Sequence, residues 1–241
     1  MNIYWLEQTE AQVPRGNSWL SDGELLRLDS FRIPKRRAEW RLGRWTAKCA
    51  VAAFQELPLH ASLLTRMEIR PAATGAPEVF VTGMPTPAAI SLSHRAGRAI
   101  CMVAEPGVKL GCDLELIEPR SQAFVTDYFT SEEQQQIERA PAAERSRLLA
   151  LLWSGKESAL KALQEGLRLD TRCVTVTRED NASDLHGWSR LRVLYTGGYA
   201  VRGWWRHADG VLRTVVADPS PAPPIRLQVP AYCPDKMALC A

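Results

Sequence analysis

The sequence has few of the features that would place the protein in a membrane, outside the cell or on a nucleic acid. Its six cysteines form no C-x-x-C pair and lie mostly in apolar runs, which favours buried free thiols in a reducing cytosol. The amino terminus has no basic segment ahead of a long apolar stretch, so no signal peptide is predicted. The longest aliphatic cluster, Leu148–Trp153, is too short to cross a bilayer. We therefore expect a soluble, cytoplasmic protein.

Charge and composition set weaker limits. The net charge of +3 is too small to indicate nucleic-acid binding by itself. Positive charge is instead concentrated in Lys35-Arg36-Arg37, followed by Arg41 and Arg44, which is either a solvated helix face or an anion site. With 241 residues, 46% of them hydrophobic, the chain can bury the core of one large domain or two small ones.

Periodicity predicts alternating helical and extended regions. A capping-box pattern at Ser21 predicts a short helix, and Pro34 is expected to open a long helix that ends near Leu57. Further helices are expected after Ser131 and from Pro141 to about Gly166. Strands are expected over residues 3–6, 67–70, 78–82, 89–93, 99–104, 108–114, 173–177, 191–195, 199–205 and 211–217. Residues 219–230 are expected to form a proline-rich linker, and residues 236–240 a last strand.

The two long helices resemble each other, which suggests an internal repeat. Trp45-Thr46-Ala47-Lys48-Cys49 aligns with Trp153-Ser154-Gly155-Lys156-Glu157. Chance similarity between two amphipathic helices is the alternative. If the repeat is real, two similar halves, residues 1–108 and 109–241, form one active site between them. Cys49 stands where Glu157 stands, so only the second half supplies this carboxylate.

Two short acidic motifs point to a metal site. Asp113 and Glu115, in Gly111-Cys112-Asp113-Leu114-Glu115, lie two apart in an extended stretch and so share one strand face. Glu157 and Lys161 lie four apart in a helical stretch and share one helix face. Three carboxylates and a lysine describe a hard-cation site that can hold a phosphorylated ligand. The alternatives are surface residues of an edge strand and a solvated helix pair.

Together these residues resemble a 4′-phosphopantetheinyl transferase of the surfactin-synthetase-activating type. That family is marked by G-[VI]-D-[IL]-E and [FW]-x-x-K-E-[SA]-x-x-K at a characteristic spacing. GCDLE and WSGKESALK match at nearly every defining position. Weaker agreement covers the basic helix KRRAEWRLGR, the turn Gly75-Ala76-Pro77, the segment SLSH and the closing KMALCA.

The resemblance implies an α+β fold of two pseudo-symmetric halves, each a long helix packed on a small antiparallel sheet. It implies coenzyme A in the cleft between the halves, with Mg²⁺ on its pyrophosphate. Asp113, Glu115 and Glu157 would be metal ligands. Glu157 would also activate the serine hydroxyl of an apo acyl or peptidyl carrier protein, and Lys161 would steady the pyrophosphate as its bond breaks. The expected reaction transfers 4′-phosphopantetheine to that serine and releases 3′,5′-ADP, in a monomer with no nucleic-acid or membrane partner.

The resemblance also implies a set of residues that bind coenzyme A. His94 and the arginines would hold the 3′-phosphate. The assigned residues are Arg37, Arg41, Arg44, Gly75, Pro77, Ser93, His94, Lys156 and Lys161. Ala76 replaces the family's usual lysine, and Ser91 its frequent asparagine; both differences concern coenzyme A affinity rather than the metal.

Two other functions compete with this interpretation. A Mg²⁺-dependent phosphohydrolase acting on a nucleotide or on coenzyme A would use the same carboxylates. A basic, tryptophan-rich nucleic-acid-binding module would use the aromatic side chains for stacking, but it leaves the spaced acidic motifs unexplained. The sequence leaves open whether the carrier protein serves fatty-acid, polyketide, peptide-synthetase or aminoadipate pathways.

Overall fold

A computed structural model describes residues 1–165, 168–179, 184 and 186–234. The helices are α1 (Asp22–Asp29), α2 (Pro34–Phe54), α3 (Ala61–Leu64), α4 (Gln122–Tyr128), α5 (Ser131–Arg139) and α6 (Ala142–Ala162). The strands are β1 (Tyr4–Thr9), β2 (Met67–Pro71), β3 (Pro77–Val81), β4 (Met84–Pro85), β5 (Ala89–Arg95), β6 (Arg98–Ala104), β7 (Lys109–Leu116), β8 (Val174–Arg178), β9 (Ser189–Tyr195), β10 (Ala200–Ala208), β11 (Val211–Asp218) and β12 (Ile225–Arg226). The α+β fold class is confirmed.

Contacts divide the chain into two compact units. The carboxyl-terminal unit comprises Gly107–Pro224 with Met1–Ile3, and the amino-terminal unit comprises Tyr4–Pro106 with the described residues from Ile225 on. The predicted halves, residues 1–108 and 109–241, and their pseudo-symmetry stay predictions.

In the amino-terminal unit, α2 packs against β1 and β6 of a sheet with the order β12-β1-β6-β5. A second sheet has the order β2-β3-β4. The core beneath α2 includes Trp19 and Trp45, whose rings meet edge-on with centroids 5.2 Å apart. Burial of such large rings contributes much of the unit's hydrophobic stabilisation.

In the carboxyl-terminal unit, five antiparallel strands form one sheet with the order β7-β11-β10-β9-β8. The helix α6 packs against β7 and β11. Its apolar residues, among them Leu151 and Leu160, join Val176, Val193 and Leu212 of the sheet in a single core. The apolar spacing of α6 and the alternation in the strands are the sequence patterns that produce this packing.

Each long helix is attached to its own unit by a fully buried lysine. In the amino-terminal unit, Lys48 forms a 2.5 Å ion pair with Glu24, which also forms a capping box with Ser21 and accepts the backbone N–H of Ile69. Its ammonium also donates to the carbonyl of Trp19. Every charge in this buried group therefore has a partner, as burial demands.

The carboxyl-terminal unit contains the same set of contacts. Lys156 lies 2.8 Å from the carboxylate of Glu133, which forms a capping box with Thr130 and accepts the N–H of Val176. Lys156 also donates to the carbonyls of Thr171 and Val174. Both units thus have the same local arrangement around the lysine of their long helix, and the internal repeat itself stays a prediction.

The structure departs from the predicted elements in a few places. The long helices end earlier than expected, at Phe54 and Ala162, and Gly166 lies outside the described residues. The helix α4 was not predicted, and residues 219–230 are not a featureless linker because β12 pairs in parallel with β1. The expected last strand, residues 236–240, and the KMALCA segment lie outside the described residues.

Two composition-based expectations can be compared with the structure. Within the described ranges five cysteines are free, and Cys49, Cys101 and Cys112 are buried, whereas Cys173 and Cys233 are partly exposed. No helix in the part of the chain that the structure describes is long and apolar enough to span a bilayer.

Candidate active site

The strand β7 presents Gly111, Asp113 and Glu115 on the face that α6 covers. A Cβ atom at Gly111 would lie 1.8 Å from the carbonyl oxygen of Ser158 and 2.5 Å from the amide nitrogen of Ala162. Only glycine allows the helix backbone to come this close to the strand. Asp113 is only 5% exposed, so this face belongs to the helix–sheet contact rather than to an open surface.

Gly111→Ala should therefore separate α6 from β7. The added methyl would collide with helix backbone, which cannot move like a flexible side chain, so the cost should lie at the upper end of the usual overpacking range, at about 3 kcal/mol. The control is Gly43→Ala in α2, where a Cβ meets nothing within 4 Å and alanine should stabilise the helix by about 0.5–1 kcal/mol. Urea unfolding measures both changes. Equal stability of the two variants would contradict the close helix–strand contact.

A short polar seam fixes α6 on the neighbouring strand. The hydroxyl of Thr214, on β11, lies 2.8 Å from that of Ser154 and 2.7 Å from that of Ser158. Thr214 also donates to the carbonyl of Ser154, 2.9 Å away, and is the cross-strand partner of Asp113. All three hydroxyl residues are fully buried, so the seam fixes the register of the helix against the carboxylate strand.

The ammonium group of Lys161 crosses from α6 to β7. It donates to Asp113 Oδ1 at 2.9 Å and to the carbonyl of Cys112 at 3.0 Å. Burial by itself lowers the pKa of Lys161, but the adjacent Asp113 carboxylate, with help from Glu157, raises this pKa above its ordinary value. Lys161 is therefore a fixed cation at the site rather than a solvated member of a helix pair.

Both carboxylate oxygens of Glu115 accept hydrogen bonds. Arg120 Nη2 donates to Oε2 at 3.1 Å, and Trp153 Nε1 donates to Oε1 at 3.2 Å. The same Arg120 nitrogen lies 3.3 Å from Glu118 Oε1. Arg120 had not been singled out from the sequence; the available signal was an arginine closely following the acidic run of β7.

Glu157 lies half-buried in the same electrostatic environment. Burial raises the pKa of its carboxyl group, Lys161 partly offsets this shift, and the negative charges of Asp113 and Glu115 add to it. The structure thus brings Asp113, Glu115, Glu157 and Lys161 into one charged group, in which carboxylates outnumber the lysine. A divalent cation or a proton would relieve the repulsion.

The donor set fits a hard cation in chemistry, but it does not form a closed cage. No group of three His, Cys, Asp or Glu side chains within the described ranges has a geometry that would by itself hold a metal ion. Mg²⁺ in phosphate-handling sites usually takes one or two carboxylates and completes its octahedron with phosphate oxygens and water. Carboxylates on a strand and on the facing helix suit that open arrangement.

Lys156 lies elsewhere, although it is the neighbour of Glu157 in sequence. Its ammonium is 0% exposed and belongs to the Glu133 ion pair described above. Successive helix residues point roughly 100° apart, so Lys156 and Glu157 face different surroundings. The structure does not bring Lys156 to the carboxylates, and its contacts disfavour the assignment of this residue to coenzyme A.

The predicted arginines belong to the amino-terminal unit and differ in their contacts. Arg37 donates to the carbonyl of Leu28 at 2.7 Å, and Arg41 donates to a loop carbonyl at Pro14 at 2.6 Å. Arg44 stacks over the Trp40 ring at 5.0 Å, and burial lowers its pKa. The buried Nε atoms of Arg41 and Arg44 both have no hydrogen-bond partner among the described residues. Arg41 and Arg44 thus each keep an unused donor, and Arg41 is in addition bound to loop carbonyls through its Nη2.

The remaining predicted residues lie on two hairpins of the amino-terminal unit. Gly75 occupies the turn between β2 and β3 with a φ of +90°, a conformation that favours glycine, and Pro77 begins β3. On β5, Ser93 is buried and His94 is exposed, one residue before the end of the strand. Their assignment to coenzyme A stays a prediction.

Comparison with known families supports the chemistry of the carboxyl-terminal unit. Residues 109–201, less than half of the chain, match the model of the 4′-phosphopantetheinyl transferase superfamily. A search of curated proteins found no match for the chain. The matched range contains both acidic motifs, with Asp113, Glu115, Glu157 and Lys161.

Proposed function

We propose that the protein transfers the 4′-phosphopantetheine group of coenzyme A to a serine of an apo carrier protein and releases 3′,5′-ADP. The observation that carries the proposal is the charged group formed by Asp113, Glu157 and Lys161 within the range that matches the transferase superfamily. Phosphoryl transfer asks a protein mainly for positioning and charge neutralisation, and this group suits that demand. The surfactin-synthetase-activating subtype is part of the proposal.

Each residue of the site is proposed to have its own role in the reaction. Asp113, Glu115 and Glu157 would hold Mg²⁺, which neutralises charge on the pyrophosphate when bound. The serine oxygen of the carrier forms a bond to the β-phosphorus, the bond from that phosphorus to 3′,5′-ADP breaks, and Glu157 takes the serine proton. Lys161 stabilises the charge that develops on the pyrophosphate oxygens.

The environment of Glu157 supports its role as a base. In the metal-free protein, burial and the charges of Asp113 and Glu115 raise its pKa, so the carboxylate takes up a proton more readily than an exposed glutamate does; a bound cation would lower this pKa again. Glu157 would thus have two roles, as a ligand of the cation and as the acceptor of the serine proton.

Arg44 and His94 are proposed to bind the 3′-phosphate of coenzyme A. The Arg44 side chain is partly exposed and its Nε has no hydrogen-bond partner among the described residues, and His94 is exposed near the end of β5. We also propose one site per chain in a monomer, because the residue aligned with Glu157 is Cys49, which is 0% exposed and whose pKa burial raises strongly.

The direct test is mass spectrometry of apo carrier proteins incubated with the protein, coenzyme A and Mg²⁺. We expect one carrier class to gain the mass of a phosphopantetheine group and 3′,5′-ADP to appear in equal amount. Carrier variants with alanine at the acceptor serine are the control and should gain nothing. No mass gain with any carrier class would contradict the proposal, and coenzyme A breakdown without a carrier would favour the phosphohydrolase.

A further inference from the structure

Arg120 contacts two acidic side chains near the carboxyl-terminal end of β7 and the aromatic ring of Phe124. Its Nη2 lies 3.1 Å from Glu115 Oε2 and 3.3 Å from Glu118 Oε1, and its guanidinium carbon lies 5.3 Å from the centre of the Phe124 ring. The side chain is 26% exposed. A planar guanidinium that stacks on one face and donates along its edge has little freedom to rotate.

Phe124 also packs against Trp153, which is the second hydrogen-bond donor to Glu115. The centroid of the Trp153 ring lies 4.9 Å from the ring centroid of Phe124 and 5.2 Å from that of Tyr128, and both of these residues are on α4. Phe124 thus contacts both Arg120 and Trp153, which donate to opposite oxygens of one carboxylate. The plane of the Glu115 carboxylate is fixed between them.

The hydrogen bonds to Glu115 orient its carboxylate as well as neutralising its charge. Glu115 is 12% exposed, so it retains little water to orient it. A carboxylate oxygen that accepts one hydrogen bond keeps a second lone pair, so donors on both oxygens can fix a metal ligand without displacing the metal. Donors around ligating carboxylates commonly tune metal affinity by about 10- to 100-fold.

We propose that Arg120 is a positioning residue that holds Glu115 in the orientation needed to bind the divalent cation. The inference rests on the proposed function, since it takes Glu115 as a metal ligand. Charge and orientation predict opposite effects. Removing a positive charge beside a cation site strengthens cation binding by electrostatics alone, whereas releasing Glu115 weakens it.

The experiment compares Mn²⁺ binding to wild type, Arg120→Met and Arg120→Lys, followed by electron paramagnetic resonance in the presence of coenzyme A. We expect Arg120→Met to weaken Mn²⁺ binding by about 10-fold or more. Arg120→Lys should restore little of the loss, because an ammonium cannot stack on Phe124 and reach both acids with a planar fork. The Mg²⁺ concentration for half-maximal rate should rise by about the same factor, and kcat at saturating Mg²⁺ should change less.

The control is Arg147→Met, which removes another ion-paired arginine, 3.2 Å from Glu144 at the start of α6. It should leave Mn²⁺ binding unchanged. Mn²⁺ binding in Arg120→Met that is as tight as in wild type, or tighter, would overturn the positioning role while leaving the proposed function intact. If wild type itself binds no Mn²⁺, both fail together. Should Arg120→Met not fold, as judged by thermal unfolding, Arg120→Lys keeps the charge and tests the orientation alone: weaker Mn²⁺ binding is expected, and binding as tight as in wild type would overturn the positioning role.

Discussion

Glu157→Gln is expected to lower the rate of phosphopantetheine transfer by about 10²- to 10⁴-fold, the usual contribution of a positioned base. Glutamine keeps the size of the side chain but can neither take the serine proton nor add charge to a cation site. Mass spectrometry of the carrier protein measures the rate.

Asp113→Asn should cause a loss of similar size, because it removes the charge that Lys161 contacts at 2.9 Å.

Glu157→Gln should not damage the fold. Burial, Asp113 and Glu115 raise the pKa of Glu157, so its ionised form costs folding free energy at pH values above the raised pKa. That cost disappears below the ordinary glutamate value of 4.5. In metal-free protein, Glu157→Gln should therefore unfold at a higher temperature than wild type at neutral pH, and the difference should vanish as the pH falls towards 4.5.

Glu144→Gln is the control for both measurements, since Glu144 lies on the same helix in an exposed ion pair with Arg147. It should change neither the rate nor the unfolding temperature appreciably. Near-wild-type transfer by Glu157→Gln would remove this glutamate from the reaction. An unfolding temperature below that of wild type at neutral pH would show that its charge is compensated in the folded protein.

Lys156→Met is expected to lower the free energy of unfolding by about 3–5 kcal/mol, because it leaves the Glu133 carboxylate buried without its partner. Lys48→Met should cost a similar amount, since Glu24 would be stranded in the same way. Adding Glu133→Gln to Lys156→Met should recover part of the loss, as no buried charge then remains.

Lys35→Met provides the control, because the Lys35 side chain is 83% exposed and its ion pair with Glu39 is long, at 3.9 Å. Its effect should stay within about 0.5 kcal/mol. Chemical denaturation of all four variants gives the comparison. If Lys156→Met were as stable as Lys35→Met, the buried pair would have no structural role, and Lys156 would return as a candidate ligand for coenzyme A.

Local signals in the sequence were sufficient for much of the fold. The capping box at Ser21 and Glu24 requires only residues three apart, and it forms as the pattern predicts. The turn at Ala96-Gly97 has positive φ at both residues, a conformation that suits Gly97 but that Ala96 adopts against its own preference. The acidic motifs identified Asp113 and Glu157 because strand and helix periodicities place each of them on a definite face.

What the sequence did not reveal depends on contacts between distant segments. Nothing near Glu133 indicates that it would accept the ammonium of Lys156 or the N–H of Val176. Arg120 acquires its importance only when α4 and α6 bring Phe124 and Trp153 beside it. The separation of Lys156 from Glu157 could not be read from a motif that treats them as a single unit.

The paired lysines change how a W-x-x-K-E signature should be weighed in other proteins. In each unit the lysine pairs with a buried glutamate that also binds a strand, so the lysine holds the helix against the sheet. A domain could keep this lysine without any catalytic role. In the amino-terminal unit Lys48 forms such a buried ion pair with Glu24, and the next residue is Cys49 rather than a glutamate. A search scored on the tryptophan and lysine alone would therefore also match a helix such as α2, which has no carboxylate at this position.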